Sequence, residues 1–322
     1  MNSTVGTPIR VLVVTNVYPT PDSPGTPSVQ DQVEALRALD VEVNLLLIDK
    51  GRLSSFLHAA WQLFKLNFQP KRYDIVHTFF GHSAFLARCQ FRYPIIATYL
   101  GSDLLGRGQV NWRDGFIGRA SLLWVNQAIV MSEEMKTVTK REDTQVIPFG
   151  VNTTIFTPRP KQETRQECNL PLEENLILFP WNPVRPEKMF SLVEEAVEIL
   201  QRTDPTIRVI TIHGQPRECI AQYMNACDVL ILTSLYEGSP VAVREAMACN
   251  LPIVSVDVGD VAEIIAGTDG CYIVERSAET IAGKLQQVFD AARRTNGIEK
   301  IKTFDAVWSA NKVIQIYQNR LS

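Results

Sequence analysis

Two carboxylates, Glu237 and Glu245, stand eight residues apart in TSLYEGSPVAVREAM, the segment from Thr233 to Met247. The apolar run Asp228–Thr233 reads as a strand, so Ser234–Gly238 is the loop at its carboxyl end. Ser239 suits an N-cap and Pro240 the first position of a helix. The N–H groups of a first helical turn, here from about Val241 onward, lack partners within the helix. The positive end of the helix dipole lies at the same place. Such a start is an anion site. Gly238 leaves room for a ligand beside it. A carboxylate repels phosphate but accepts hydrogen bonds from sugar hydroxyls. Glu237 at the mouth and Glu245 two turns along therefore suit a ligand with both an anion and hydroxyls. A solvated loop glutamate followed by an exposed helical one beside Arg244 accounts for the same spacing.

The elements that must position these residues alternate along most of the chain. Ile9–Thr15, Val41–Ile48, Asp74–Phe79, Pro94–Tyr99, Ala128–Met131 and Gln145–Pro148 read as strands. Ser28–Leu39, Leu53–Leu66, Gly81–Gln90, Asp114–Asn126 and Ser132–Arg141 read as the helices between them. Phe149–Pro160 is rich in turn formers and carries no period, which places a domain boundary there. A second set follows. Its strands are Leu176–Phe179, Ile207–Ile212, Asp228–Thr233, Ile253–Val256 and Cys271–Val274. Its helices are Glu187–Arg202, Glu218–Asn225, Pro240–Cys249, Val261–Ala266 and Ala278–Arg294. Strands apolar on both faces that alternate with helices make parallel sheets. The expected class is α/β, with two doubly wound Rossmann-like domains facing across a cleft, residues 1–150 and 151–302. Phe304–Asn319 has Val307, Trp308, Val313, Ile316 and Tyr317 at helical spacing. Residues 303–322 therefore form a terminal helix, expected to cross back and pack on the first domain. Ligands of such sheets bind beyond the carboxyl ends of the strands.

Composition narrows the class. The chain has 322 residues, a net charge of −3, 45% hydrophobic and 21% charged residues. This is an ordinary globular balance that gives no sign of a nucleic-acid partner. Six scattered cysteines without a C-x-x-C pair read as reduced thiols, in keeping with a cytoplasmic protein. No signal-peptide pattern opens the sequence, and no apolar run approaches the roughly 20 residues of a membrane span. Leu53–Arg72 is rich in Phe, Trp and Leu and ends in basic residues. Such a stripe is more often core than a peripheral membrane contact at the inner face of a membrane, the other reading kept for it.

The Glu237-to-Glu245 segment resembles the glutamate-x7-glutamate motif of glycosyltransferase family 4, whose members have the GT-B fold. EAMACNLPIVSVDVGDVAEII (Glu245–Ile265), VIPFGVNTTIFTP (Val146–Pro158), AIVMSEEMK (Ala128–Lys136) and NACDVLILTS (Asn225–Ser234) extend the resemblance over essentially the whole chain. It implies that Glu237 contacts hydroxyls of a donor hexose and Glu245 the ribose of its nucleotide. Backbone N–H groups of Ser239, Val241 and Ala242 then receive sugar and diphosphate. PVRPEKM (Pro183–Met189) implies Arg185 and Lys188 as cations for the diphosphate, three apart where the family usually has five. YLGSDL (Tyr99–Leu104) is similar to the family's H-G-x-D loop, with Leu100 in place of histidine. Asp103 there holds the acceptor or orders the loop, and Gly101 lets a substrate approach the backbone. His77 and His82 flank another strand end, near the acceptor or as structural residues. The loop Asn16–Leu36 is proline-rich, with Gly25 where many members have two glycines, and is expected to be a lid or an acceptor wall.

The resemblance thus implies a retaining transferase that needs no metal or other cofactor. It would move a hexose-type sugar from a UDP- or GDP-sugar to a saccharide, lipid-linked or small-molecule acceptor hydroxyl. A nucleotide-sugar epimerase on the same scaffold and a non-catalytic nucleotide-sugar-binding protein are the alternatives. Product analysis without acceptor separates the first, and binding without turnover the second.

Overall fold

The computed structural model describes residues 8–21, 23–49, 51–106 and 112–322. The chain divides into two compact units, Met1–Gly150 with Ala306–Ser322, and Val151–Asp305.

The N-terminal unit is built on six parallel strands. These are β1 (Arg10–Thr15), β2 (Glu42–Leu47), β3 (Ile75–Phe79), β4 (Ile95–Thr98), β5 (Gln127–Val130) and β6 (Gln145–Val146). Their order is β2-β1-β3-β4-β5-β6. Val11 lies opposite Ile75 and Val13 opposite His77. Strands β3 and β4 are buried along their whole length. Helices therefore cover both faces, which is why their sequences are nearly continuous apolar runs. The helix Trp112–Ser121 packs so closely that a Cβ at Gly118 would come within 1.9 Å of the Asp103 carbonyl oxygen.

The terminal helix Ala306–Leu321 belongs to this unit. Its inner seam is Ala310, Val313 and Tyr317, at i, i+3 and i+7, with Val307 on the exposed side. The Ser309 hydroxyl donates to Gln32 Oε1 at 2.7 Å, and the Tyr317 hydroxyl meets His77 Nδ1 at 2.5 Å.

The second unit has five parallel strands, β7 (Leu176–Phe179), β8 (Arg208–Thr211), β9 (Val229–Leu232), β10 (Ile253–Val256) and β11 (Cys271–Val274). Their order is β11-β10-β9-β7-β8. Side chains of period two feed two cores. Leu178 and Leu230 join Met247 on one face, and Ile177 and Ile231 join Leu285 on the other. The strand order reverses between β7 and β9, so the loops after these two strands lie at the switch point where open sheets take ligands. All six cysteines are free thiols.

The element limits differ from the sequence reading where side-chain type misleads. Lys161–Glu167 is a helix with no apolar period. It forms because Thr164 and Arg165 are buried in it. Residues 187–189 do not start the next helix. Pro186–Lys188 is a single 3₁₀ turn, Met189 takes a left-handed φ of 51°, and the helix runs Phe190–Gln201.

Candidate nucleotide-sugar site

Two loops are tied together at the β7/β9 switch point. The Thr233 hydroxyl is 2.8 Å from the Lys188 carbonyl oxygen and 3.2 Å from that of Met189. The Leu235 N–H donates to the Glu187 carbonyl at 2.9 Å. The 3₁₀ turn carries Lys188 inward, where it is almost fully buried. Its ammonium lies 4.9 Å from the centre of the Trp181 ring and donates to Glu237 Oε1. The Ser234 hydroxyl donates to the same oxygen at 2.8 Å. Lys188 and Glu237, 49 residues apart, are thus one ion pair, buried at the lysine and partly exposed at the glutamate, with a hydroxyl and an indole around it.

Arg185 joins a different pair. It is half exposed, and its Nε donates to Glu187 Oε1 at 2.6 Å. Burial pushes the Glu187 carboxyl up, but its own backbone N–H and Arg185 outweigh burial and leave it below the usual range. Arg185 precedes the turn in extended backbone and stays half exposed, whereas Lys188 at the end of the turn is buried.

The helix beside them runs Val241–Ala248 and has Pro240, not Ser239, at its cap. The Ser239 hydroxyl donates to Asp260 Oδ2 at 2.9 Å and accepts from Arg244, whose Nη2 reaches the same Asp260 oxygen at 2.6 Å. This knot replaces the expected side-chain cap and fixes where the chain enters the helix. The N–H groups of Val241 and Ala242 then lie in the first turn, where helix geometry gives them no acceptor. Gly238 is partly exposed beside them. Glu245 is not an exposed helical glutamate. It is buried and accepts from Arg217 Nη1, whose guanidinium carbon lies 4.6 Å from the centre of the Phe156 ring.

The structure therefore gathers Lys188, Glu237, Gly238, Ser239, Val241, Ala242 and Glu245 on neighbouring loops and one helix of the second unit. Sequence reasoning missed Trp181, Ser234, Arg217 and Asp260. Ser234, the last residue of NACDVLILTS, and Asp260, at the end of the VDVGD loop, both lie in segments quoted for the resemblance; Trp181 and Arg217 do not.

The N-terminal residues singled out have other work. Asp103 is fully enclosed. Its Oδ1 accepts from the N–H groups of Leu100 and Gly101, both at 2.9 Å, and its Oδ2 from that of Gly81 at 2.9 Å. Of its two expected roles the geometry supports ordering the loop, because an enclosed carboxylate with both oxygens engaged cannot reach a substrate. Gly101 is likewise buried and spends its N–H on Asp103. Gly25 has a φ of 51°, and a Cβ there would come within 2.6 Å of the Tyr18–Pro19 backbone. Thr20 and Ser23 bridge, and the Thr26 N–H donates to the Val17 carbonyl at 2.6 Å. The loop is thereby folded onto itself, and Gly25 serves that fold. His77 is sealed between the Tyr317 hydroxyl and the Thr98 hydroxyl, at 2.8 Å from the latter, and burial lowers its pKa to about 3. It is a neutral bolt under the terminal helix. His82 lies 3.1 Å from Asp114.

Burial pushes the Asp103 carboxyl up from 3.8 to about 6, despite the backbone N–H groups of Gly101, Leu100, Gly81 and Asp103 itself, which pull it down. A raised folded value means stability present below the unfolded pKa and lost as pH rises through the folded one. Between pH 4 and 6 the chain is expected to lose roughly 3 kcal/mol relative to Asp103→Asn, whose amide does not titrate. Melting temperatures of both proteins across that window check this. A difference independent of pH overturns it.

Comparison with known proteins relates part of the chain to glycosyltransferases. Residues 186–291, which span the Lys188 turn, Glu237 and Glu245, match the family model of glycosyl transferases group 1. The matched segment is the one that carries the candidate site. TuaC of Bacillus subtilis, whose name places it in teichuronic acid biosynthesis as a glycosyltransferase, is 26% identical over 65% of this chain. A D-inositol 3-phosphate glycosyltransferase of Jonesia denitrificans is 23% identical over 68% of it. The chain spans 59% and 64% of the lengths of these two relatives. Solved structures share the fold. Sucrose-phosphate synthase of Thermosynechococcus elongatus has a TM-score of 0.78 at 18% identity, covering 97% of this chain and 99% of that one. Anabaena HepE in complex with UDP and glucose has a TM-score of 0.74 at 14% identity, covering 96% and 99%. The chain thus has the GT-B fold expected from its sequence.

Proposed function

We propose that the protein transfers a hexose, with retention, from a nucleotide-diphosphate sugar to an acceptor hydroxyl, and that the second unit holds the donor. The observation that carries this is the Lys188–Glu237 pair beside the start of the Val241–Ala248 helix. An ammonium and first-turn N–H groups suit a diphosphate, and an adjacent carboxylate suits sugar hydroxyls. Glu245, held by Arg217, is the proposed acceptor for ribose hydroxyls. As the bond from sugar carbon to phosphate oxygen breaks, negative charge grows on the leaving diphosphate. Lys188 and the helix start stabilise it there. The acceptor oxygen bonds to the same carbon on the same face, and its proton passes to the departing phosphate oxygen. Arg185, half exposed at the rim of the turn, adds positive charge from outside.

UDP-hexoses are the first donors to test, since HepE was solved with UDP and with UDP-glucose. A ligand at a hundred times its Kd stabilises the native state by about 2.7 kcal/mol. UDP is expected to raise the melting temperature above the shifts given by GDP, ADP and dTDP, and Glu245→Ala to abolish the gain. If none of the four nucleotides shifts the transition, the donor-site reading is wrong.

Among the described residues no helix is long and apolar enough to cross a membrane, and no group of three or more His, Cys, Asp or Glu is arranged to hold a metal.

A further inference from the structure

The helix Leu53–Lys65 has more apolar surface than its unit uses. At 100° per residue, Ala59, Leu63 and Leu66 fall on one side and face the core. Leu53, Phe64, Leu57, Phe68 and Trp61 fall within an adjacent arc of about 80° if the helical path is continued to residue 68. All five point outward, at 76%, 42%, 65%, 74% and 54% exposure. Ser54, Lys65, His58 and Gln62 take the next arc. The helix is thus three-sided, with a core seam, a bare apolar stripe and a polar band.

A second segment extends the stripe. The Asn67 side chain accepts from the Phe91 N–H at 2.9 Å and donates to the Cys89 carbonyl at 3.1 Å. Phe91, itself 69% exposed, is thereby fixed next to the Phe68 turn. Arg92 is fixed with it by a bond to the Gln69 carbonyl. Charge around the stripe is predominantly basic, with Arg52 paired to Asp49 at 3.4 Å and Lys71 to Asp74 at 3.8 Å at its two ends. Between Asp49 and Asp74 the chain has lysine or arginine at 50, 52, 65, 71 and 72 and no acidic residue. Lys65 lies 5.0 Å from the centre of the Trp61 ring, so an indole and an ammonium share one edge.

From this we infer that the 53–72 segment with Phe91 is a docking surface for an anionic phospholipid bilayer. Leucines and aromatic rings enter the headgroup boundary while lysines and arginines meet lipid phosphates. A protein partner would satisfy the apolar stripe alone, but it gives no reason for a basic run without an acidic residue between Asp49 and Asp74. The surface lies wholly on the N-terminal unit and does not depend on the proposed donor site.

Sedimentation of the full chain with phosphatidylcholine vesicles containing phosphatidylglycerol, and with phosphatidylcholine alone, tests the inference. Binding is expected to the anionic vesicles only and to weaken with salt. Leu57→Gln/Trp61→Gln/Phe68→Gln is expected to abolish it, with an unchanged melting temperature because all three side chains are exposed. Lys65→Gln/Lys71→Gln/Arg72→Gln is expected to weaken it roughly tenfold to a hundredfold at low salt. Absence of wild-type binding overturns the inference, as does binding that survives the apolar triple variant. Concentration-dependent self-association, abolished by that variant and unaffected by anionic vesicles, also overturns it and assigns the stripe to a second copy of the chain.

Discussion

Lys188→Ala is expected to slow sugar transfer by roughly 10²- to 10³-fold, the usual cost of losing one preorganised stabiliser of developing charge. The expectation rests on where the lysine sits. Its ammonium is almost out of water, over an indole, so its attraction for a leaving diphosphate is poorly screened. The same burial gives the variant a second signature. Removing the cation leaves Glu237 with the Ser234 hydroxyl as its remaining partner of the pair. Breaking a buried pair from one side costs about 3–5 kcal/mol of stability. Glu237→Ala strands the lysine in the same way and removes the proposed acceptor of sugar hydroxyls. The double variant leaves neither charge alone, so its loss of stability is expected to fall well short of the sum of the singles. The rate should not recover, because the diphosphate has still lost its cation. Rates and melting temperatures of the three variants separate the roles. Lys188→Ala turnover within about threefold of wild type would remove Lys188 from the proposed chemistry.

Much of this arrangement was legible in the sequence, for a physical reason. The run 229–232 is apolar at every position because helices cover both faces of its strand, and that pattern shows without coordinates. Strand ends then fix the loops, and a proline just before Val241 marks the helix start. What stayed hidden concerns charges whose partners are remote in the chain. Nothing near Arg217 announces that it holds Glu245, 28 residues away. Ser239 is the right residue type for a cap, but Arg244 and Asp260 claim its hydroxyl. Asp103 sits in a motif that left two readings open, a hold on the acceptor or an ordering of the loop, and only burial shows it knitting two loops together. Met189 is a good helix former by type. Its left-handed backbone nevertheless delays the helix and turns Lys188 inward. Side-chain type thus predicts the segment that carries chemistry better than the atom that performs it.

Arg165→Met carries the largest stability effect expected outside the site. In the sequence Arg165 is one polar residue in KQETRQE, with nothing to set it apart from a solvated helix face. In the fold it is 1% exposed, and all three guanidinium nitrogens are engaged. Nε donates to the Ala226 carbonyl at 2.9 Å. Nη1 donates to the carbonyls of Pro171, Leu172 and Glu174, at 3.1, 2.6 and 3.0 Å. Nη2 meets Asp228 Oδ2 at 2.7 Å, and that oxygen also accepts from the Leu176 N–H at 2.7 Å. One side chain therefore closes the 171–174 turn and ties it to the starts of β7 and β9. Methionine fills similar volume but orphans these carbonyls, and it leaves Asp228 to Lys161, a third exposed and 2.9 Å away. Each carbonyl deprived of its donor costs about 1–3 kcal/mol where water cannot replace it. Partial access at the turn holds the sum to roughly 4 kcal/mol, or a melting temperature lower by about 10 °C for a unit of this size. Arg165→Lys should recover little, because an ammonium has three donors and no planar fork with which to serve carbonyls on several sides. Both β7 and β9 deliver loops of the proposed donor site, so loosening their starts should also weaken nucleotide binding near the transition temperature and leave it intact well below. A transition within about 2 °C of wild type for Arg165→Met would mean that water or rearrangement replaces the guanidinium, and the tie between turn and strands would not be what holds this unit.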